Sequence, residues 1–240
     1  MCGEERRGSS EAAAGFRHRL ADLKRNGANV LLVGTEALDA CCERLLGEPE
    51  AGPRYRLFVT TDVDRSVARR KFRAAGPNEE DLAAIVDWSP DADTPAATDT
   101  RGDSVGAAQP DDGRLFATTT VESDDLRELG VGIERTVGRL ETAADGMSPA
   151  ELRLCFDSVT PLLTDYERRD VRRFLLGLTE TVEQVNGMAH YHLPERYESE
   201  TVESIEPLFD AVVEVRSGDR GRQQRWHLTE PAIDTDWLPL

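Results

Sequence analysis

Six residues, Asn29-Val30-Leu31-Leu32-Val33-Gly34, constrain the fold more than any other segment of the chain. A short continuous apolar run ended by glycine is the pattern of a parallel strand buried on both faces. Such a strand needs helices above and below its sheet, joined by right-handed crossovers, and the sequence supplies the alternation. Phe16, Leu20 and Leu23 recur at helical spacing before Asn26-Gly27, and residues 36–46 again read as a helix. Tyr55 to Thr60 is rich in β-formers, and either Asp62 or Asp64 can cap the helix carrying Val67, Arg70 and Lys71.

Further strands are expected at Ala83–Trp88, Leu115–Thr118 and Glu151–Ser158. Leu126, Leu129, Ile133 and Val137 mark one helix, and Val171 to Val185 mark a longer one stopped by Gly187. The remainder reads as a strand from Met188 to Leu193, a short helix, and strands over Leu208–Arg216 and Gln223–Thr229. The turn Ser217-Gly218-Asp219 makes the last two an antiparallel hairpin at a sheet edge. The expectation is therefore an α/β fold, a mostly parallel central sheet flanked by helices with an antiparallel C-terminal edge hairpin. One domain over residues 16–240 fits this length. Residues 1–15 read as a flexible leader. Residues 89–114, almost all Asp, Ala, Thr, Gly and Pro, carry too little apolar surface to offset the entropy of ordering, and read as a disordered insertion.

Charge narrows the partners. The net charge is −17, from 46 acidic against 29 basic residues, and Lys24 and Lys71 are the only lysines. A carboxylate-rich surface stays hydrated where molar salt shrinks the Debye length to roughly 3 Å, so the composition points to a high-salt cytoplasm. It also argues against nucleic acid, which needs a basic face; the arginines at 65–73 and 168–173 sit among acids and read as solvated helix faces. No apolar run approaches a membrane span, and the N-terminus lacks a signal pattern, so a cytoplasmic setting is expected. Cys2, Cys41, Cys42 and Cys155 show no C-x-x-C spacing and read as reduced and structural.

A strand, a glycine and a helix form the place where a phosphate loop belongs, with backbone N–H groups, a lysine and a hydroxyl holding phosphate and Mg²⁺. Laid on G-x-x-x-x-G-K-[ST], the loop Gly34-Thr35-Glu36-Ala37-Leu38-Asp39-Ala40-Cys41 keeps only Gly34; Asp39, Ala40 and Cys41 replace the second glycine, the lysine and the hydroxyl residue. At these residues the chain resembles the KaiC-like branch of the RecA superfamily. Tyr55–Thr60 running into Thr61-Asp62 is similar to the family's second strand, whose first catalytic acid Asp62 would replace, with Val63 at the second. Leu154-Cys155-Phe156-Asp157 looks like its Walker B strand, where the acid aligns Mg²⁺. Pro149–Arg153, Gly187–Pro194, Pro207–Asp210 and Arg225–Leu228 look like a group of proteins of halophilic archaea loosely associated with signal transducers.

Glu36 and Asp39 put carboxylates where phosphate oxygens would lie, so loss of ATP hydrolysis is expected, with no catalytic residue, metal or cofactor. What remains is a regulatory or signalling role through a protein partner or self-association. The alternative is an ATPase that binds Mg-ATP through the altered loop, with Asp157 on the metal and Asp62 as base. His190 and His192 share one face of a strand and could offer two zinc ligands, but no third is evident, and they read as ordinary sheet histidines. Trp226 and Trp237 are expected to pack the C-terminal tail against the body.

Overall fold

The computed structural model describes residues 4–47, 52–75, 82–90, 116–218 and 221–240; all but two residues of the predicted insertion 89–114 lie outside that set. The described residues run α1 (Glu4–Asn26), β1 (Ala28–Val33), α2 (Leu38–Leu45), β2 (Tyr55–Thr60), α3 (Arg65–Ala74), β3 (Leu82–Trp88), β4 (Phe116–Val121) and α4 (Leu126–Ala143). They continue with β5 (Leu152–Asp157), α5 (Thr160–Asp165), α6 (Arg168–Gln184), β6 (Met188–Leu193), α7 (Glu200–Ile205), β7 (Ala211–Gly218), β8 (Gly221–Leu228), β9 (Ile233–Asp234) and β10 (Leu238–Pro239). Glu4 already belongs to α1, so most of the stretch read as a leader is helical; its Glu, Arg and Ala residues favour helix without supplying an apolar stripe that periodicity could detect.

These strands form one sheet in the order β10-β8-β7-β1-β6-β5-β2-β3-β4, with β9 beside β8. From β7 to β4 all pairings are parallel; β8 is antiparallel to β7, and the tail adds β10 along β8. The edge hairpin is therefore present, but the tail covers its outer strand and shortens the exposed edge.

The central strands are buried on both faces, as their unbroken apolar pattern requires. Leu31 and Val33 of β1 face one core with α4, α6 and α7, including Leu129, Ile133, Leu175 and Val202. Val30 and Leu32 face the other, with α1, α2 and α3 through Leu23, Cys42, Leu46 and Phe72. Each fully buried Val, Leu or Phe contributes roughly 1.5–3 kcal/mol relative to exposure, so two filled faces fix the register of every central strand. Asp64 caps α3, accepting a 2.7 Å bond from the Ser66 amide. The tail packs as expected: Trp226 is buried, and the guanidinium carbons of Arg216 and Arg225 lie 3.7 and 4.6 Å from the Trp237 ring centre.

Candidate functional site

In a parallel sheet flanked by helices, ligands bind beyond the carboxyl ends of the strands, where the strand order reverses. Here β6 separates β1 from β5, and the chain leaves β1 through residues 34–37 and β5 at Asp157. The two halves of the predicted phosphate site are thus brought to one crevice.

The loop after β1 is tighter than a phosphate loop. Helix α2 begins at Leu38, two residues later than the 36–46 reading, and follows Ala37 in the left-handed conformation (φ 66°) without a side-chain cap. Gly34 has φ 139°, and a Cβ there would lie 2.4 Å from the Val215 carbonyl oxygen. The close approach of β7 therefore accounts for this glycine without any phosphate. Thr35 and Asp39 are exposed and Ala40 is half-buried. Cys41 is buried with its sulfur 4.0 Å from Gln224 of β8, and burial pushes its thiol pKa up to about 12.

A lysine does occupy the crevice, and it comes from α3. Lys71 is 4% exposed, and its Nζ donates to Asp157 Oδ2 at 2.5 Å and lies 3.2 Å from Asp39 Oδ1. Its ammonium thus offsets the Asp39 and Asp157 carboxylates from the α3 side. Burial disfavours the ammonium, but the Cys155 and Cys42 sulfurs and the Asp157 carboxylate outweigh burial, and its pKa stands above the ordinary lysine value. Burial likewise works against the Asp157 carboxylate, yet His192 and Lys71 hold its pKa below the usual range. The lysine lies on the helix face with Ala68, Phe72 and Ala75, all buried, so spacing on α3 places it inward.

Asp62 is not part of this arrangement. It is exposed and lines an open cleft of about 670 Å³ with Asp64, Arg65 and Asp87, where Arg65 Nε donates to Asp87 at 2.7 Å.

A second group of side chains lies beside Asp157, on the α2 face of the sheet. Cys155 and His190 are register partners on β5 and β6, His192 follows two residues on, and Cys42 comes down from α2. All four are buried, and one ligand atom from each falls within 4.8 Å of all the others. Cys42 Sγ is 3.5 Å from Cys155 Sγ and 3.1 Å from His190 Nε2, while Cys155 Sγ is 3.8 Å from His192 Nε2. His192 turns its other nitrogen, Nδ1, to Asp157 Oδ1 at 3.5 Å. Burial lowers the His190 pKa, so that ring is neutral; hydrogen bonding to Cys42, together with burial, raises the Cys155 thiol to about 11. The sequence offered the two histidines but not their partners.

Fold and crevice together define a doubly wound, mostly parallel α/β protein with a buried Lys71–Asp157 pair at the carboxyl ends of its central strands. Residues 27–215 match the family of unknown function DUF7504, and the chain belongs to that family. No curated protein matches it. Two solved proteins of the archaeon Pyrococcus horikoshii are similar in structure. An uncharacterized protein in complex with an unknown peptide aligns with a TM-score of 0.53 at 14% identity, over 87% of this chain and 88% of that one. A KaiC-like protein aligns with a TM-score of 0.47 at 15% identity, over 90% of this chain and 82% of that one.

Proposed function

We propose that this chain is a RecA/KaiC-like domain without nucleotide chemistry, acting in regulation or signalling through contacts with other proteins, self-association included. The observation that carries the reading is the Lys71 ammonium, buried between Asp157 and Asp39. A Walker B carboxylate must be free to hold Mg²⁺ through its water, and Mg²⁺ binds weakly where substrate phosphates do not share it. Here the acid is neutralised from inside, and Asp39 stands in the first turn of α2 where a phosphate would gain from the helix dipole.

Two features favour protein contacts as the output. Val131 and Leu176 are exposed large hydrophobics on α4 and α6, and a groove of about 800 Å³ lies between those helices, lined in part by Leu126, Gly130, Phe174 and Leu178. The acidic, lysine-poor composition supports a high-salt setting.

Thermal unfolding with and without Mg-ATP tests the reading. A ligand at 100 times its Kd stabilises by about 2.7 kcal/mol. For a chain of this length that is a rise of roughly 5–10 °C. The proposal expects no shift in high salt, and a rise of that size would support an ATP-binding protein with an altered loop instead.

A further inference from the structure

We infer that Cys42, Cys155, His190 and His192 form a closed tetrahedral site for a thiophilic divalent cation, Zn²⁺ in the first place. Two sulfurs and two imidazole nitrogens are a donor set that selects Zn²⁺ over Mg²⁺ or Ca²⁺. Zn–S bonds of about 2.3 Å and Zn–N bonds of about 2.0–2.1 Å, set at the tetrahedral angle, separate sulfur from sulfur by about 3.8 Å and sulfur from nitrogen by about 3.6 Å. The measured separations are 3.5 Å for sulfur to sulfur and 3.1 and 3.8 Å for sulfur to nitrogen, and every other pair lies within 4.8 Å, so side-chain movements of up to about 1 Å centre the ion.

Three further observations point to a metal rather than to four residues that happen to pack together. Every member is buried, with Cys42 at 0%, Cys155 at 1%, His190 at 2% and His192 at 3% exposure, so all four coordination positions come from protein and none from water. His192 directs Nδ1 at Asp157, the carboxylate–histidine arrangement that fixes the tautomer and leaves the Nε2 lone pair for an ion. The charges also close. Zn²⁺ with two thiolates and two neutral imidazoles is neutral, as is the adjoining Lys71–Asp157 pair, so loading leaves no net charge in the core. Binding breaks the two S–H bonds and releases two protons to solvent. Asp157 is a positioning residue in this scheme, not a ligand.

The assay is cobalt titration of the full chain, reduced and stripped with chelator under anaerobic conditions. The expected result is uptake of one equivalent of Co²⁺, with a thiolate-to-cobalt charge-transfer band and intense tetrahedral d–d bands, reversed by Zn²⁺. Cys42→Ser and Cys155→Ser should each lose this spectrum, whereas Cys41→Ser keeps it. Asp157→Asn should weaken affinity about 10- to 100-fold with the spectrum unchanged. Should the cysteine variants not fold, X-ray absorption of zinc-loaded wild type provides the readout, with a shell of two sulfurs and two nitrogens expected. No cobalt uptake, an octahedral spectrum, a shell without sulfur, or a reduced protein that forms only a Cys42–Cys155 disulfide on reoxidation and takes up no metal would overturn the inference.

Discussion

Replacing Lys71 by Met removes the buried ammonium while nearly conserving side-chain volume. Asp157, only 14% exposed, then loses its 2.5 Å partner and keeps the His192 ring, whose Nδ1 lies 3.5 Å away. Removing one member of a buried pair costs about 3–5 kcal/mol, because the survivor stays desolvated and uncompensated. Partial exposure of Asp157 and the neighbouring His192 ring place this case near the lower end, at about 3 kcal/mol. The Asp39 contact adds little, since that carboxylate is 70% exposed and screened by water. Combining Lys71→Met with Asp157→Asn removes both charges, so the double variant should recover part of the loss, with a coupling of about 1–3 kcal/mol. Urea unfolding of the wild type, both single variants and the double, with equal slopes as the check on two-state behaviour, measures the cycle. A single-variant cost below about 1 kcal/mol, or additive single costs, would refute the claim that this ammonium neutralises the crevice from within.

Other outcomes follow from the same geometry. Gly34→Ala should destabilise by roughly 2–4 kcal/mol through positive-φ strain and collision with the Val215 carbonyl, measured as a shift in urea midpoint; a neutral result would remove the structural account of that glycine. Trp237→Ala should cost about 1 kcal/mol by releasing the tail from Arg216 and Arg225, and an unchanged melting temperature would show that the tail packing is idle. Dialysis from molar to low salt should lower the melting temperature as carboxylate repulsion goes unscreened, followed by far-UV circular dichroism; an indifferent protein would contradict the high-salt reading.

The central strands were legible because burial on both faces leaves an unbroken apolar run, as in β1, and the helix α4 was legible from its 3.6-residue stripe. The sheet order was not, because crossovers place β6 between β1 and β5 although it follows both in sequence. That order is what joins Cys155 to His190, 35 positions along the numbering, and packing of α2 adds Cys42 from 113 residues before Cys155. No local spacing encodes such a group. Lys71 is different, since Ala68, Phe72 and Ala75 set a helical stripe that includes it, and only the habit of reading lysine as solvated hid its position. The departures from the G-x-x-x-x-G-K-[ST] pattern were plain in the sequence; the internal cation was not.

Phosphate release tests the central claim most directly. Wild type and Asp157→Ala, each with a large excess of Mg-ATP in high salt, should both release inorganic phosphate at the buffer rate, because Asp157 is engaged by Lys71 and the loop has Ala40 and Cys41 where the motif has a lysine and a hydroxyl residue. Turnover by wild type above that background, abolished by Asp157→Ala, would contradict the account and establish the chain as an ATPase.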